Sequence, residues 1–265
     1  MCTLALIYRR HPRWPVICLA NRDEYRLRPS LAPHLWENPS GEPLLWAGKD
    51  LTGGGTWLGV NSHGLLAGVT NRFNPAGPRA DALSRGHLPI EALKERSAEA
   101  AATRLRALPL ERFNRFNLLI ADAQRAFVLT NHPAVEIRPV AAPGVLLGND
   151  SAFEGGGTKR ELFFRMVAEG FPSSSPDVSR EEALAVADRF LTRHEGIFVP
   201  EEQCLSDLPI CIHGEAYGTV SSALWLISQP GGDSFGYWTD GPKCEKAWQG
   251  ANLFGGDGQG RRITG

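Results

Sequence analysis

Short apolar runs joined by tight turns dominate this chain and limit the folds that it can adopt. Residues 2–8 (CTLALIY) and 15–20 (PVICLA) are two such runs, and residues 11–15 (HPRWP) between them carry two prolines. Proline fixes φ and lacks the N–H that a strand ladder needs, so this segment predicts a turn between two strands. Because hairpin strands are antiparallel, the end of the second run is expected beside the start of the first.

The same kind of pattern continues along the chain. Helical spacing predicts one or two helices within 87–107, one over 158–169, and one after Ser179, where Glu182 completes a capping box. Residues 25–43 contain four prolines and are expected to form a long loop, and residues 254–265 a loose tail. Further strands are expected at 44–48, 56–60, 65–70, 116–122, 125–130, 135–140, 144–149, 216–228 and 234–240.

Most of these strands are separated by turns too short for a crossover, so the sheets are expected to be mainly antiparallel. Two packed sheets between helical layers satisfy the order of strands and helices. No repeat and no domain boundary is visible, so residues 1–265 are expected to form a single domain.

Composition excludes several classes of function. The formal net charge is −1 and there is no basic block, which argues against nucleic acid as a partner. No apolar run reaches the ~18 residues that a membrane span needs. The N-terminus lacks the pattern of a secretory signal, so a cytoplasmic location is expected. The cysteines include no CxxC pair and are expected to be reduced, four of them being ordinary small residues: Cys18, Cys204, Cys211 and Cys244.

Cys2 is the cysteine with an unusual position. Removal of Met1 would leave a thiol and a free α-amine on one residue, with ordinary pKa values of about 8.5 and about 8. The amine could then take the thiol proton, as in other nucleophiles activated by an adjacent base. The alternative is that Cys2 is a buried strand residue that follows the initiator Met1 without a further role.

Four motifs favour the catalytic interpretation through a family resemblance. They are MCTLALIY, ANRDEY, GGGTWLGVNSHGLLAGVTNR and AYGTVSSALWLI. In this order they resemble the NRDE family, also called the transport and Golgi organisation protein 2 family, from residue 2 to about residue 228. The resemblance implies an α+β fold of the N-terminal nucleophile hydrolase type, a four-layer αββα sandwich of two mainly antiparallel sheets.

The cysteine amidases of that superfamily imply roles for several residues. Cys2 corresponds to the nucleophile. An Arg and an Asp at the end of the second strand orient it, and two pairs fit these positions: Arg22 with Asp23, or Asn21 with Glu24. A slip of one residue exchanges the two faces of a strand, so both pairs stay open, and Arg22 and Asp23 are taken as the candidates.

Three further positions complete the comparison. Asn71 corresponds to an oxyanion donor, since it closes a strand where a side-chain amide can reach the substrate. Asn149 corresponds to a second Asn that serves the amine. A late Arg is expected within YGTVSS, but this chain has Val220 there, which weakens the case for efficient hydrolysis. Asn71 and Asn149 are also natural turn residues.

Two functions from different classes follow. The first is a cysteine N-terminal nucleophile amidohydrolase that acts on small or non-peptide amides after removal of Met1 and needs no cofactor. The second, since the family has been linked to haem trafficking, is a protein that binds haem or another apolar ligand in the same pocket without turnover. No metal site is expected, because Cys211 and His213 are only two ligands. Residues 53–55, three glycines, lack the context of a phosphate-binding loop.

Overall fold

A computed structural model describes residues 2–36, 43–150, 152, 157–172, 177–194, 209–254 and 261–263. Contacts between residues divide the chain into two compact units. The first unit comprises Met1–Leu27 with Ala141–Gly265, and the second comprises Arg28–Val140. Each unit contains one seven-stranded sheet whose neighbouring strands are antiparallel, so the expected α+β class with two antiparallel sheets is confirmed.

The sheet of the first unit has the strand order β10-β1-β2-β11-β12-β13-β14. The predicted N-terminal hairpin is confirmed, since β1 pairs with β2 from Cys2↔Arg22 to Tyr8↔Val16. The strands are β1 (Cys2–Tyr8), β2 (Val16–Tyr25), β10 (Gly144–Leu147), β11 (Tyr217–Ile227), β12 (Ser234–Asp240), β13 (Gln249–Leu253) and β14 (Arg261–Ile263).

Two helices, α3 (Thr158–Gly170) and α4 (Arg180–Leu191), cover one face of this sheet. The capping box predicted for α4 is present: the backbone N–H of Glu182 donates to Ser179 Oγ, and the backbone N–H of Ser179 donates to the Glu182 carboxylate. Phe163 of α3 and Phe190 of α4 meet edge to face, with ring centroids 6.3 Å apart. This contact joins α3 and α4 into one helical layer. Such an aromatic pair contributes about 1 kcal/mol beyond the burial of the two rings.

The sheet of the second unit follows chain order from β3 to β9, and its helices are α1 (His87–Leu93) and α2 (Ala98–Arg106). Both helices pack on one face of this sheet through a core that includes Leu88, Ala101 and Leu105. The strands are β3 (Ser30–Trp36), β4 (Leu45–Asp50), β5 (Leu58–Asn61), β6 (Leu66–Asn71), β7 (Phe116–Ala121), β8 (Ala126–Thr130) and β9 (Glu136–Pro139).

Edge strands are where the predictions were wrong. Residues 25–43 were expected to form a loop, but β3 lies within them and pairs with β4. Pro33 falls in an irregularity of this ladder, on an edge strand, where a missing N–H is tolerated. The tail was expected to be loose, yet β14 pairs with β13. Residues 255–260, 264 and 265 lie outside the described residues.

The glycine-rich motif has a structural explanation. A Cβ added to Gly55 would lie 2.4 Å from the backbone of Gly86, so the two backbones approach too closely for a side chain. Asp50 Oδ1 accepts backbone N–H groups from Thr52 and Gly53, both at 3.0 Å. The motif is therefore held by backbone packing and by an Asx turn.

Two further findings concern membranes and thiols. In the part of the chain that the structure describes, none of the helices combines the length and apolar character that crossing a bilayer requires. The four described cysteines, Cys2, Cys18, Cys211 and Cys244, are free thiols, as expected. Cys204 lies outside the described residues, as does Met1.

Candidate active site

Cys2 begins β1 and lies directly opposite Arg22 of β2. Directly opposed residues of an antiparallel pair project from the same face of the sheet, so Arg22 is the cross-strand neighbour of the Cys2 side chain. Antiparallel pairing also places Asp23 one residue further, on the side of the backbone nitrogen of Cys2. Of the two pairs that the sequence left open, the register therefore brings Arg22 and Asp23 to Cys2.

The Asn21 side chain is hydrogen-bonded to backbone groups outside the sheet. Its Nδ2 donates to the carbonyl oxygens of Leu191 at 2.9 Å and Ile210 at 2.8 Å. Its Oδ1 accepts the hydroxyl of Ser222 at 2.7 Å. These bonds use both amide N–H groups and one lone pair of the oxygen, and they hold the amide toward the end of α4, so Asn21 connects the sheet to the helical layer. Glu24 lies 4.0 Å from Arg22 and accepts the N–H of Tyr25.

Asp23 is a buried carboxylate with specific support from β11. Thr219 Oγ1 donates to Asp23 Oδ1 at 2.6 Å and accepts the N–H of Ile212 at 2.9 Å. Tyr217 donates its hydroxyl to the carbonyl of Asp23 at 2.8 Å. Burial raises the pKa of Asp23 to about 6, against the opposing effects of the N-terminal ammonium, the Thr219 hydrogen bond and the Lys159 ammonium. The carboxyl can therefore change charge just below neutral pH.

The Cys2 thiol is not activated by its surroundings alone. Burial and the negative charge of Asp23 raise its pKa, while the N-terminal ammonium, the backbone N–H of Asp23 and the charge of Arg22 act in the opposite direction. A thiol with a raised pKa needs a base to become a nucleophile at neutral pH. An α-amine on the same residue would meet that need.

The two asparagines lie in different units. Asn149 belongs to the first unit and follows β10, which pairs with β1 at Leu4↔Leu147. Asn149 lies in a bend two residues beyond the end of β10, so its role toward the amine of Cys2 stays a prediction. Asn71 is the last residue of β6 in the second unit and pairs with Phe116 of β7. The oxyanion role expected for Asn71 stays a prediction.

Val220, where the family resemblance leads us to expect Arg, is the extra residue of a β-bulge. Thr219 pairs with Asp23 and Ser221 pairs with Arg22, so Val220 has no partner on β2. Bulges redirect side chains beside active sites. Here the redirected side chain is half-buried and carries no charge.

A second group of reactive side chains was missed by sequence reasoning. The structure brings together His194, Cys211, His213 and Cys244, with their ligand atoms within 4.8 Å of one another. The sequence drew attention only to Cys211 and His213. The remaining signal was weak, because His194 and Cys244 are far away in the chain and neither forms a motif.

The first unit also has a cleft that lies away from Cys2. It is lined by residues that include Trp14, Ser228 and Phe235, near the end of β11 and the start of β2. Cys2 is at the other end of this ladder, since β1 begins there and finishes opposite Val16. The cleft therefore does not border the candidate nucleophile.

Comparison with known proteins identifies the family. The family model described as Transport and Golgi organisation 2 matches residues 1–235, which include Cys2, Arg22, Asp23, Asn71 and Asn149. The chain belongs to the Transport and Golgi organisation 2 family. The human Transport and Golgi organization protein 2 homolog is 26% identical over 240 residues, 83% of this chain and 84% of that protein. The mouse homolog is 33% identical over 110 residues, 40% of this chain and 38% of that protein.

Solved structures show the fold of this member of the family. A mutant conjugated bile acid hydrolase from Clostridium perfringens matches with a TM-score of 0.58 and 10% identity, over 100% of this chain and 97% of that one. An N-acylethanolamine-hydrolyzing acid amidase ortholog from Caenorhabditis elegans matches with a TM-score of 0.56 and 12% identity, over 87% and 95%. The fold is that of the N-terminal nucleophile hydrolases, as the sequence motifs led us to expect.

Proposed function

We propose that this protein is a cysteine amidohydrolase that uses Cys2, after removal of Met1, to cleave small or non-peptide amide bonds. The observation that carries the proposal is the register of β1 on β2, which sets Arg22 opposite Cys2 and the buried Asp23 one residue beyond. The fold shared with a conjugated bile acid hydrolase and an N-acylethanolamine-hydrolyzing acid amidase supports the reaction class. Fold alone does not assign a reaction, so the site residues bear the weight of the proposal.

The chemistry follows from a thiol and an amine on one residue. The α-amine of Cys2 accepts the thiol proton, and the thiolate attacks the amide carbonyl carbon to form a tetrahedral oxyanion. The ammonium returns that proton to the leaving nitrogen as the carbon–nitrogen bond breaks, which leaves a thioester on Cys2. Water, deprotonated by the same amine, then attacks the thioester and releases the carboxylic acid and the thiol.

The surrounding residues hold the geometry in this scheme. The Asp23 carboxylate accepts a hydrogen bond from the α-amine and is itself held by Thr219. The Arg22 guanidinium stabilises the thiolate, as a nearby opposite charge does. Asn71 is proposed as the oxyanion donor and Asn149 as a partner of the amine, and no cofactor is required.

The names of the two structural neighbours suggest where to look for a substrate. One is a conjugated bile acid hydrolase and the other hydrolyses N-acylethanolamines. We therefore propose amides between an apolar acyl group and a small amine as the substrate class. Acyl amides of a fluorogenic amine, with a series of acyl chain lengths, are suitable probes.

The first test is the intact mass of the purified protein before and after brief alkylation at neutral pH. We expect Met1 to be absent and one thiol to react fast, with the label mapping to Cys2. Cys2→Ala should then abolish hydrolysis of the acyl amide probes. Cys18→Ala is the matched control, since Cys18 is a fully buried thiol on the adjacent strand and should be dispensable for turnover.

Two results contradict the proposal. Retention of Met1 in the active protein would leave Cys2 without a free amine, and the mechanism would fail. Hydrolysis that survives Cys2→Ala would show that another residue is the nucleophile.

A second function is favoured by Val220. Loss of the expected Arg beside the nucleophile is what a protein that binds a ligand without turnover would tolerate. In that case the protein would carry haem or another apolar ligand at the Cys2 site. Titration with haemin should then give a Soret band at one equivalent, whereas an enzyme that binds no haem gives only the spectrum of free haemin.

A further inference from the structure

Four metal-ligating side chains converge in the first unit from three segments of the chain. His194 follows α4, Cys211 and His213 precede β11, and Cys244 follows β12. His213 Nε2 lies 3.2 Å from His194 Nε2, 3.2 Å from Cys244 Sγ and 3.4 Å from Cys211 Sγ. The two sulfur atoms lie 3.6 Å apart, far too distant for a disulfide bond.

These separations match four of the six edges of a zinc tetrahedron. With Zn–S near 2.3 Å and Zn–N near 2.05 Å, a regular tetrahedron has edges of about 3.8 Å between sulfurs, about 3.3 Å between nitrogens and about 3.5 Å between sulfur and nitrogen. The four measured distances fall within about 0.3 Å of these values. The two remaining edges, from His194 to the two sulfur atoms, are no longer than 4.8 Å, so a cation at the centre would draw the His194 ring inward to complete the tetrahedron.

The orientation of the ligands is supported by a second layer of contacts. Glu245 Oε1 lies 3.1 Å from His213 Nδ1, which places a proton on Nδ1 and leaves the lone pair on Nε2. The backbone N–H of Cys211 donates to the carbonyl of Arg193, beside His194. The backbone N–H of Lys243, beside Cys244, donates to Ser222 Oγ at 3.2 Å. The three segments are thus joined to one another around the cluster.

We propose that His194, Cys211, His213 and Cys244 form a structural zinc site. Two thiolates and two imidazoles are the ligand set that selects Zn²⁺ with tetrahedral geometry, and two thiolates neutralise its charge. All four positions are taken by protein, so no place is left for a substrate or a reactive water. The site is structural, and three of its ligands are exposed, which gives zinc a route of entry.

The position of the site suggests what it stabilises. Ile212 lies between two ligands, and its N–H donates to Thr219 Oγ1, which in turn donates to Asp23. Zinc would hold the end of α4, the approach to β11 and the β12–β13 connection together. It would thereby help to position Thr219, whose hydroxyl donates to Asp23. The importance of this contact for catalysis rests on the proposed hydrolase function.

Metal content and a cobalt spectrum test the site without reference to activity. Protein is purified with a reductant and without a chelator, and its metal content is measured by inductively coupled plasma mass spectrometry. It should contain one zinc per chain. After zinc removal, Co²⁺ alone should restore one equivalent and give the visible bands of a tetrahedral site with thiolate-to-cobalt charge transfer. Cys244→Ser and His213→Gln should each lower zinc occupancy at least tenfold, whereas His87→Gln, an exposed histidine of the second unit, should not.

The outcomes separate this proposal from the hydrolase proposal. Reduced wild-type protein that neither contains zinc nor gives a tetrahedral Co²⁺ spectrum overturns the zinc site, even if the two ligand variants fail to fold. Equal zinc in wild type, Cys244→Ser and His213→Gln overturns it too. Stoichiometric zinc in a protein whose Cys2 is inert would leave the zinc site standing and the hydrolase proposal refuted.

Discussion

Asp23→Asn should increase the stability of the protein at neutral pH. Burial raises the pKa of Asp23 from its ordinary 3.8 to about 6, so the native state binds this proton more tightly than the unfolded chain does. The stabilisation from this proton is fully present below pH 3.8 and is lost as the pH rises through about 6. A shift of this size corresponds to about 3 kcal/mol in the free energy of unfolding.

Asparagine preserves the shape of the side chain and an oxygen that accepts the Thr219 hydroxyl, but it does not titrate. The free energy of unfolding of Asp23→Asn, minus that of wild type, should therefore rise by about 2.4 kcal/mol between about pH 4 and pH 7. Urea denaturation followed by tryptophan fluorescence at four pH values measures this difference. A difference that stays constant, or falls, over this range would refute the argument that burial of Asp23 disfavours its ionised form.

Asp50→Asn is a control with the opposite sign. Burial acts to raise the pKa of Asp50, but hydrogen bonds from Arg28 and from the backbone N–H groups of Gly53 and Thr52 hold it below its ordinary value. Its contribution to stability is present above the unfolded-state pKa and is lost as the pH falls. Asp50→Asn should therefore destabilise the protein more at neutral pH than in acid.

Three other substitutions test the remaining assignments. Asn21→Ala should lower the free energy of unfolding by about 3 kcal/mol in denaturant titrations, because three buried hydrogen bonds are lost; the alkylation rate of Cys2 should not change, and a slower rate would place Asn21 in the site. Asn71→Ala should reduce kcat by ~10²–10³ if it donates to the oxyanion, and an unchanged kcat would leave it a turn residue. Val220→Arg should speed alkylation of Cys2 at neutral pH roughly threefold to tenfold, because a nearby cation lowers a thiol pKa; an unchanged rate would show that the bulge side chain does not act on the thiol.

The predictable part of the fold rests on local signals. The prolines of residues 11–15 and the period-two pattern around them predicted the first hairpin, which the structure confirms. The capping box at Ser179 and Glu182 predicted the start of α4 correctly. Turn residues, caps and periodicity act within a few residues, so they are visible in the sequence itself.

Strands that depend on a neighbour were harder to predict. The strand β3 contains Pro33, and β14 lies in a glycine-rich tail, so each looks like a loop by composition. Each is a strand because an adjacent strand supplies its hydrogen bonds. The second strand was expected to end at residue 20, but β2 runs to Tyr25, because β1 and β11 pair with it beyond that point.

The sequence by itself determined the antiparallel hairpins, the helices and the choice of Cys2 as the candidate nucleophile, since these depend on local pattern and position in the chain. Only the tertiary structure decided that Arg22 rather than Asn21 lies opposite Cys2, because a register is a relation between two strands. It also decided that His194 and Cys244 join Cys211 and His213. Side chains far apart in the chain meet only where packing brings their segments together, and no local pattern records that meeting.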